Sequence, residues 1–159
     1  MMPRDGVRLV IALEVDTEAL CRIQRAAFDS ESQLHQRTGH GGPDGYDTLE
    51  GIKELMERTD LFKIMHNETT IGGVSVIDSA ESCRLVRIFI DPRHQGKDIG
   101  HKVFALLLER YPDAEIWKLD TPSWSLRNQH FYESLGFGKI GETDRGDRSF
   151  ALFLYERKE

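Results

Sequence analysis

Apolar and polar positions along this chain switch between two periods, and the switches outline its elements. Residues 7–13 are β-branched and apolar and predict a first strand. Asp16-Thr17-Glu18 offers a helix start, after which Ala19, Leu20, Ile23, Ala26 and Ala27 recur at helical spacing and Phe28 closes the run. Residues 29–47 are polar and carry Gly39, Gly41, Gly42, Pro43 and Gly45, which predicts a long loop. A loop of that length suits either a lid over a site or a tolerated surface insertion. Asp47 followed by Glu50 has the form of a capping box for a helix over 49–58. Residues 61–65 and 70–77 read as strands around the turn His66-Asn67-Glu68, and Gly72-Gly73 inside the second predicts a bulge or a close backbone approach. Residues 85–90 are almost continuously apolar, as expected of a central strand covered on both faces.

The second half follows the same logic. A wide apolar face over 99–111 predicts a helix that Pro112 stops, and 116–119 predicts a strand. A helix over 125–135 ends before Gly136, and 137–140 and 150–155 predict two strands around a charged turn at 143–147. The order β-α-α-β-β-β-α-β-α-β-β predicts an α/β fold, a mixed central sheet of about seven strands flanked by about four helices. Residues 1–159 are expected to form a single domain.

Charge and composition narrow the function classes. The net charge is −6, and no block of like charges marks an interaction tail. Nucleic-acid binding is not expected, because phosphate neutralisation needs clustered Lys and Arg. A cationic small molecule fits the acidic balance better. Cys21 and Cys83 stand far apart and form no metal-binding pattern, so no metal is expected. No run approaches the ~18 apolar residues of a membrane span, and residues 1–5 lack the apolar core of a leader. The expectation is a cytoplasmic protein with no membrane partner, and a homodimer is one state left open.

The strongest local signal is Ile88-Phe89-Ile90-Asp91-Pro92-Arg93-His94-Gln95-Gly96-Lys97-Asp98-Ile99-Gly100. An apolar strand runs into a glycine-bearing turn and then a helix. The first turn of a helix has N–H groups without intrahelical partners, and the helix dipole adds partial positive charge there. A diphosphate is the natural occupant: Gly96 and Gly100 leave space, and Lys97 adds charge. Neither a dinucleotide fingerprint nor a P-loop is present. A second signal lies on the last helix, where Ser125, Asn128 and Tyr132 are spaced i, i+3, i+7 and share one stripe.

Together these segments resemble the GNAT superfamily of acetyl-CoA-dependent N-acetyltransferases. Gln95 and Gly100 match the first and last positions of the family's coenzyme-A turn, while Asp98 replaces its middle glycine. Tyr132, Gly136 and Phe137 match its second signature, and Ser125 stands where the family commonly has Asn. The resemblance implies a GNAT-like acyl-CoA N-acyltransferase fold and acetyl-CoA as donor. Ile88, Phe89 and Ile90 would pair with the pantetheine arm, and Gln95, Gly96, Lys97, Asp98, Ile99 and Gly100 would hold the pyrophosphate. Ser125 and Asn128 would meet the pantetheine amides, and Tyr132 would protonate the departing thiolate. The reaction it implies is acetyl transfer to a primary amine of a small molecule, by direct attack in a ternary complex. A protein N-terminal or lysine acetyltransferase and a non-catalytic acyl-CoA sensor are the alternatives. No general base stands out: Glu81, Asp120, His40 and His94 are candidates of equal weight. Alternation along the strand places Arg87 on one face with Leu85 and Phe89, opposite Ile88 and Ile90, where it would bind an acceptor anion or form a structural ion pair.

Overall fold

In the computed structural model, which describes residues 6–34, 45–96, 98–144 and 150–158, the expected order of elements is present. Strand β1 (Val7–Ile11) leads into helix α1 (Thr17–Leu34) and helix α2 (Leu49–Arg58). Strands β2 (Asp60–His66), β3 (Thr69–Ser79) and β4 (Ser82–Ile90) form an antiparallel meander. Helix α3 (Ile99–Arg110), strand β5 (Ile116–Pro122), helix α4 (Leu126–Ser134) and strands β6 (Gly138–Glu142) and β7 (Leu152–Lys158) complete the chain. All strands join one seven-stranded sheet in the order β1-β2-β3-β4-β5-β7-β6. Its one parallel pair is β4–β5, with α3 as the crossover helix such a connection requires.

Each face of the sheet has its own core. Ile99, Val103, Phe104 and Leu107 of α3 and Tyr132 of α4 pack with Phe62, Ile64, Leu85 and Trp117 on one face. Leu20, Ile23 and Ala27 of α1 and Ile52 and Leu55 of α2 pack with Leu61 and Phe89 on the other. A side chain on the central strand β4 therefore meets helices whichever way it points, which accounts for its apolar sequence.

Several expectations need correction. Helix α1 continues through Leu34, six residues into the expected loop. Its apolar stripe ends at Phe28, but Ser32 continues that stripe and is 3% exposed, so the helix extends without an apolar residue to mark it. The remaining expected loop residues through 44 lie outside the described residues, as does most of the turn at 143–147. The cap of α2 is Thr48, not Asp47: its Oγ1 accepts from Gly51 N–H at 3.0 Å, with extended backbone at φ −125°. Gly72 and Gly73 make the close approach: a Cβ on Gly72 would lie 2.2 Å from the Phe89 carbonyl oxygen, and one on Gly73 would lie 2.4 Å from the Phe89 ring.

The placement of Arg87 also changes. The β3–β4 register jumps from Ser75↔Arg87 to Val76↔Leu85, so Val86 is the extra residue of a bulge. Leu85 faces α3, whereas Val86 and Phe89 pack toward α1 and α2. Arg87 lies on that second face, where its Nη1 donates to Gln24 Oε1 of α1 at 3.0 Å. It opposes Ile88 and Ile90 as expected, but the bulge separates it from Leu85.

Candidate active site

Strands β4 and β5 pair over three positions only, Ser82↔Ile116, Cys83↔Trp117 and Arg84↔Lys118, and then part. Beyond that point β4 runs on to Ile90 with β3 on one edge and, among the described residues, no partner strand on the other. Asp91 N–H donates to the Ile71 carbonyl at 2.7 Å, which is the β3 side. Backbone groups of a strand alternate between its edges, so Phe89 shares that side, while Ile88 and Ile90 turn their N–H and C=O toward the opening. A cleft of about 320 Å³ occupies this wedge.

The wall from β4 to α3 is built largely of backbone. Asp91 accepts from Arg93 N–H at 3.0 Å and holds the Arg93 guanidinium at 2.8 Å, which fixes the turn after β4. The hydrogen bonds from Arg93 hold the Asp91 carboxyl below the usual carboxylate range. Gln95 donates its side-chain amide to the Ile90 carbonyl at 3.0 Å. Gly96 has φ +81°, and nothing lies within 4 Å of a Cβ built on it. Asp98 caps α3 in the left-handed region at φ 62°, without a side-chain cap bond. An aspartate tolerates that conformation better than most residues, so the turn survives the loss of a glycine. Its carboxylate is 77% exposed and lies 3.4 Å from His101 Nδ1. The first bond of α3 runs from Lys102 N–H to the Asp98 carbonyl at 3.1 Å. The N–H groups of Ile99, Gly100 and His101 precede it and face the N-terminal end. A pyrophosphate fits this turn: among the described residues no side chain caps its donors, Gly96 leaves space, and its one carboxylate, Asp98, is largely exposed. Gly100 has a second reason to be small, because a Cβ there would lie 2.6 Å from the Phe131 ring of α4.

The opposite wall is made of side chains remote in sequence. Ala27, Phe28 and Glu31 of α1 and Arg127, Asn128 and Phe131 of α4 line it. Glu31 is an acid that the sequence reading passed over: its carboxylate is 11% exposed, accepts from Ser125 Oγ at 3.0 Å, and has Arg127 Nη1 at 3.9 Å. Arg127 in turn donates to Gln95 Oε1 at 2.9 Å. Glu31, Arg127 and Gln95 thus bridge the cleft from α1 through α4 to the α3 turn. His101, Glu31 and Arg127 were all missed. His101 was legible one helical turn after Asp98, whereas the other two needed the tertiary fold.

The structure brings Ile88, Phe89, Ile90, Gln95, Gly96, Asp98, Ile99, Gly100 and Asn128 to one cleft. Lys97 lies outside the described residues. Ser125 is 0% exposed and reaches the site only through Glu31. Tyr132 sits deeper: it is 8% exposed, with its ring against Phe131 and Phe137. Burial first, then the charges of Asp120 and Glu31, pushes its phenol above the usual tyrosine range. Of the candidate bases, Asp120 forms an ion pair with Arg84, and the Glu81 carbonyl accepts from Glu115 and Ile116 N–H at the far end of the sheet. His94 belongs to the short helical turn Pro92–His94 and does not line the cleft, and His40 lies outside the described residues. Among the described residues no group of three or more His, Cys, Asp or Glu is arranged to hold a metal, and no helix is long and apolar enough to cross a membrane.

Comparison with known proteins agrees with this geometry. The PaiA N-acetyltransferase of Thermoplasma acidophilum, solved with coenzyme A, is 16% identical, with 96% of this chain and 99% of that chain aligned at a TM-score of 0.74. The spermidine N-acetyltransferase of Vibrio cholerae, solved with CoA and spermine, is also 16% identical over 98% and 96% of the two chains, TM-score 0.74. The ribosomal-protein-S18-alanine N-acetyltransferase of Escherichia coli is 15% identical over 96% and 93%, TM-score 0.74. At such identities the likeness speaks for the fold. No curated protein matches the sequence. The family model for the acetyltransferase (GNAT) domain matches residues 46–151, a span that holds α2, the β4–β5 wedge, the α3 turn and α4. By that match the chain belongs to the GNAT family and is an acetyl-CoA-dependent N-acetyltransferase.

Proposed function

We propose that this enzyme acetylates a primary amine of a small molecule by direct attack in a ternary complex. The observation that carries the reading is the wedge itself, which has an anion-binding turn at one wall and a shielded carboxylate, Glu31, at the other. A phosphate-bearing donor and a cationic acceptor have complementary ends to occupy. Acetyl-CoA supplies an activated thioester when bound. Ile88 and Ile90 offer the outward backbone groups that an extended amide-bearing arm pairs with, in the manner of an added strand. The turn from Gln95 to Gly100 holds the phosphates, with Gly96, Lys97, Asp98 and Ile99 between. Asn128 lines the path of the arm, and Ser125 contributes by holding Glu31. Tyr132 keeps its proton at neutral pH and stands beneath the cleft as general acid. The likeness to a spermidine N-acetyltransferase supports a small cationic acceptor.

Two measurements test this. Acetyl-CoA should raise the melting temperature through mass action, and ATP should do so far less. Equal stabilisation by both ligands would remove the donor assignment. Thiol release from acetyl-CoA over a panel of small amines should detect turnover. Stabilisation by acetyl-CoA without release on any amine would leave an acyl-CoA sensor instead of a transferase.

A further inference from the structure

The face of the sheet covered by α1 and α2 holds a second pocket, of about 230 Å³, that shares no lining residue with the cleft. The last turns of α2 form one wall, and Ile77 of β3 with Val86 and Arg87 of β4 form the other. Arg87 is half-buried there. Gln24, which is fully buried, donates its side-chain amide to the Tyr46 carbonyl at 2.8 Å, and its Oε1 accepts from Arg87 Nη1 at 3.0 Å. That acceptor is neutral. Among the described residues no carboxylate forms an ion pair with Arg87: the nearby acid, Glu54, holds Arg58 at 3.1 Å instead. Ser75 stands opposite Arg87 in the ladder, and so on the same face. It is 0% exposed, and its Oγ has no hydrogen-bond partner among the described residues. Burial lowers the Arg87 guanidinium from its ordinary value, and the charge of Glu54 opposes this only in part. Arginines drawn out of water are ordinarily paired with an anion. A guanidinium carries five N–H donors in a planar fork, so Nε and Nη2 remain for a second acceptor.

We propose that this pocket is a carboxylate site, in which Arg87 receives the carboxylate of a small organic acid and Leu55, Ile77 and Val86 cover its short apolar body. A guanidinium fork matches a carboxylate in a planar, bidentate pair. Arg58 and Arg87 against Glu54 leave the pocket with one positive charge in excess, in a chain whose net charge is −6. Ile77 is 40% exposed, and an apolar body laid against it removes both surfaces from water. The inference does not depend on the acyl-transfer reading, because binding is measured without turnover. The carboxylate can come from two sources, an amine that is itself acetylated or a separate small acid.

The test titrates the whole chain with butanoate, and with butan-1-ol and butan-1-amine as length-matched controls, following backbone amides by nuclear magnetic resonance. Butanoate should bind saturably, shift the amides of Val86 and Arg87, and exceed both controls in affinity by at least ~10-fold. Saturating coenzyme A should leave that binding in place, since the two pockets share no residue. Arg87→Gln should raise the butanoate Kd by at least ~10-fold. Arg87→Lys should fall between, because the charge stays and the fork is lost. Arg58→Gln should change it by less than about 2-fold, because the Glu54–Arg58 pair is exposed. The sources separate in turnover. If the carboxylate belongs to an acceptor, butanoate competes with 4-aminobutanoate, and Arg87→Gln raises the KM of that amino acid and not of butan-1-amine. If it belongs to a separate acid, butanoate binds without competing. Either result supports the site. Unsaturable butanoate binding, equal binding of butan-1-ol, displacement by coenzyme A, or a Kd unmoved in Arg87→Gln overturns it. If the Gln variant does not fold, the Lys variant and the wild-type comparison with butan-1-ol decide the matter.

Discussion

The two walls of the cleft are built on opposite principles. The β4–α3 wall comes from one continuous segment, and its recognition groups are backbone: the outward edges of Ile88 and Ile90 and the leading N–H groups of α3. The α1–α4 wall is assembled from side chains far apart in sequence, Ser125 and Glu31 being separated by 94 positions. A backbone wall accepts many side chains but depends on chain path, so its sensitive positions are turns and close contacts. A side-chain wall depends on individual groups, so its sensitive positions are the groups themselves.

That contrast can be broken or sharpened by substitution. The largest effect is expected at Tyr132, beneath the side-chain wall. Tyr132→Phe keeps the ring packing against Phe131 and Phe137, so the melting temperature should barely move. General acids contribute roughly 10²- to 10⁴-fold, and a phenol held above its usual range is a weaker acid toward a thiolate, so kcat should fall by about 10²-fold or somewhat less. For the same reason Tyr132 should add no alkaline limb to the pH–rate profile below pH ~10. Near wild-type turnover with chemistry rate-limiting would make Tyr132 a packing residue.

Gly100→Ala comes next, on the backbone wall. The added methyl must displace the Phe131 ring, and overpacking of this kind costs about 1–3 kcal/mol. Thermal melting should show the loss and acetyl-CoA affinity should drop with it, because α3 and α4 are forced apart at the turn. A variant as stable as wild type would mean that Phe131 moves freely.

Asp91→Asn should cost about 0.5–1 kcal/mol at pH 7 by weakening the bonds that order the turn after β4. The Asp91 carboxyl is held below its unfolded value, so its contribution is present above pH ~4 and is lost as pH falls through the folded value. Wild-type and variant unfolding curves should therefore converge in acid. A gap that persists at pH ~2 would point to the amide itself and not the charge. The smallest effect is expected for Asp98→Gly. The exposed carboxylate leaves and a left-handed position gains a glycine, so acetyl-CoA affinity should stay equal or tighten by a few-fold, less so in salt. A marked loss, with circular dichroism unchanged, would assign Asp98 a role at the turn.

The same contrast explains what the sequence disclosed. Element order and the α3 turn were legible because hydrophobic period and a contiguous motif are local properties. The α1 extension was not, because Ser32 occupies a buried stripe position where the pattern needs an apolar residue. Glu31 and Arg127 look like any surface pair until α1 and α4 meet. The face of Arg87 was misjudged relative to Leu85 because a period of two holds only while each residue has one partner, and Val86 is a bulge. Gly100 was assigned to ligand space alone, since nothing in its neighbourhood announces Phe131, which comes from another helix.

The early parting of β4 from β5 also gives one strand two kinds of amide. Those of Phe89 and Asp91 lie toward β3, and those of Ile88 and Ile90 open onto the wedge. In deuterated water the wedge-facing amides should exchange quickly and their neighbours slowly, an odd–even signature along a few consecutive residues. A ligand arm that completes the open edge would erase the alternation, and the extent of erasure would measure, residue by residue, how far it lies along the strand.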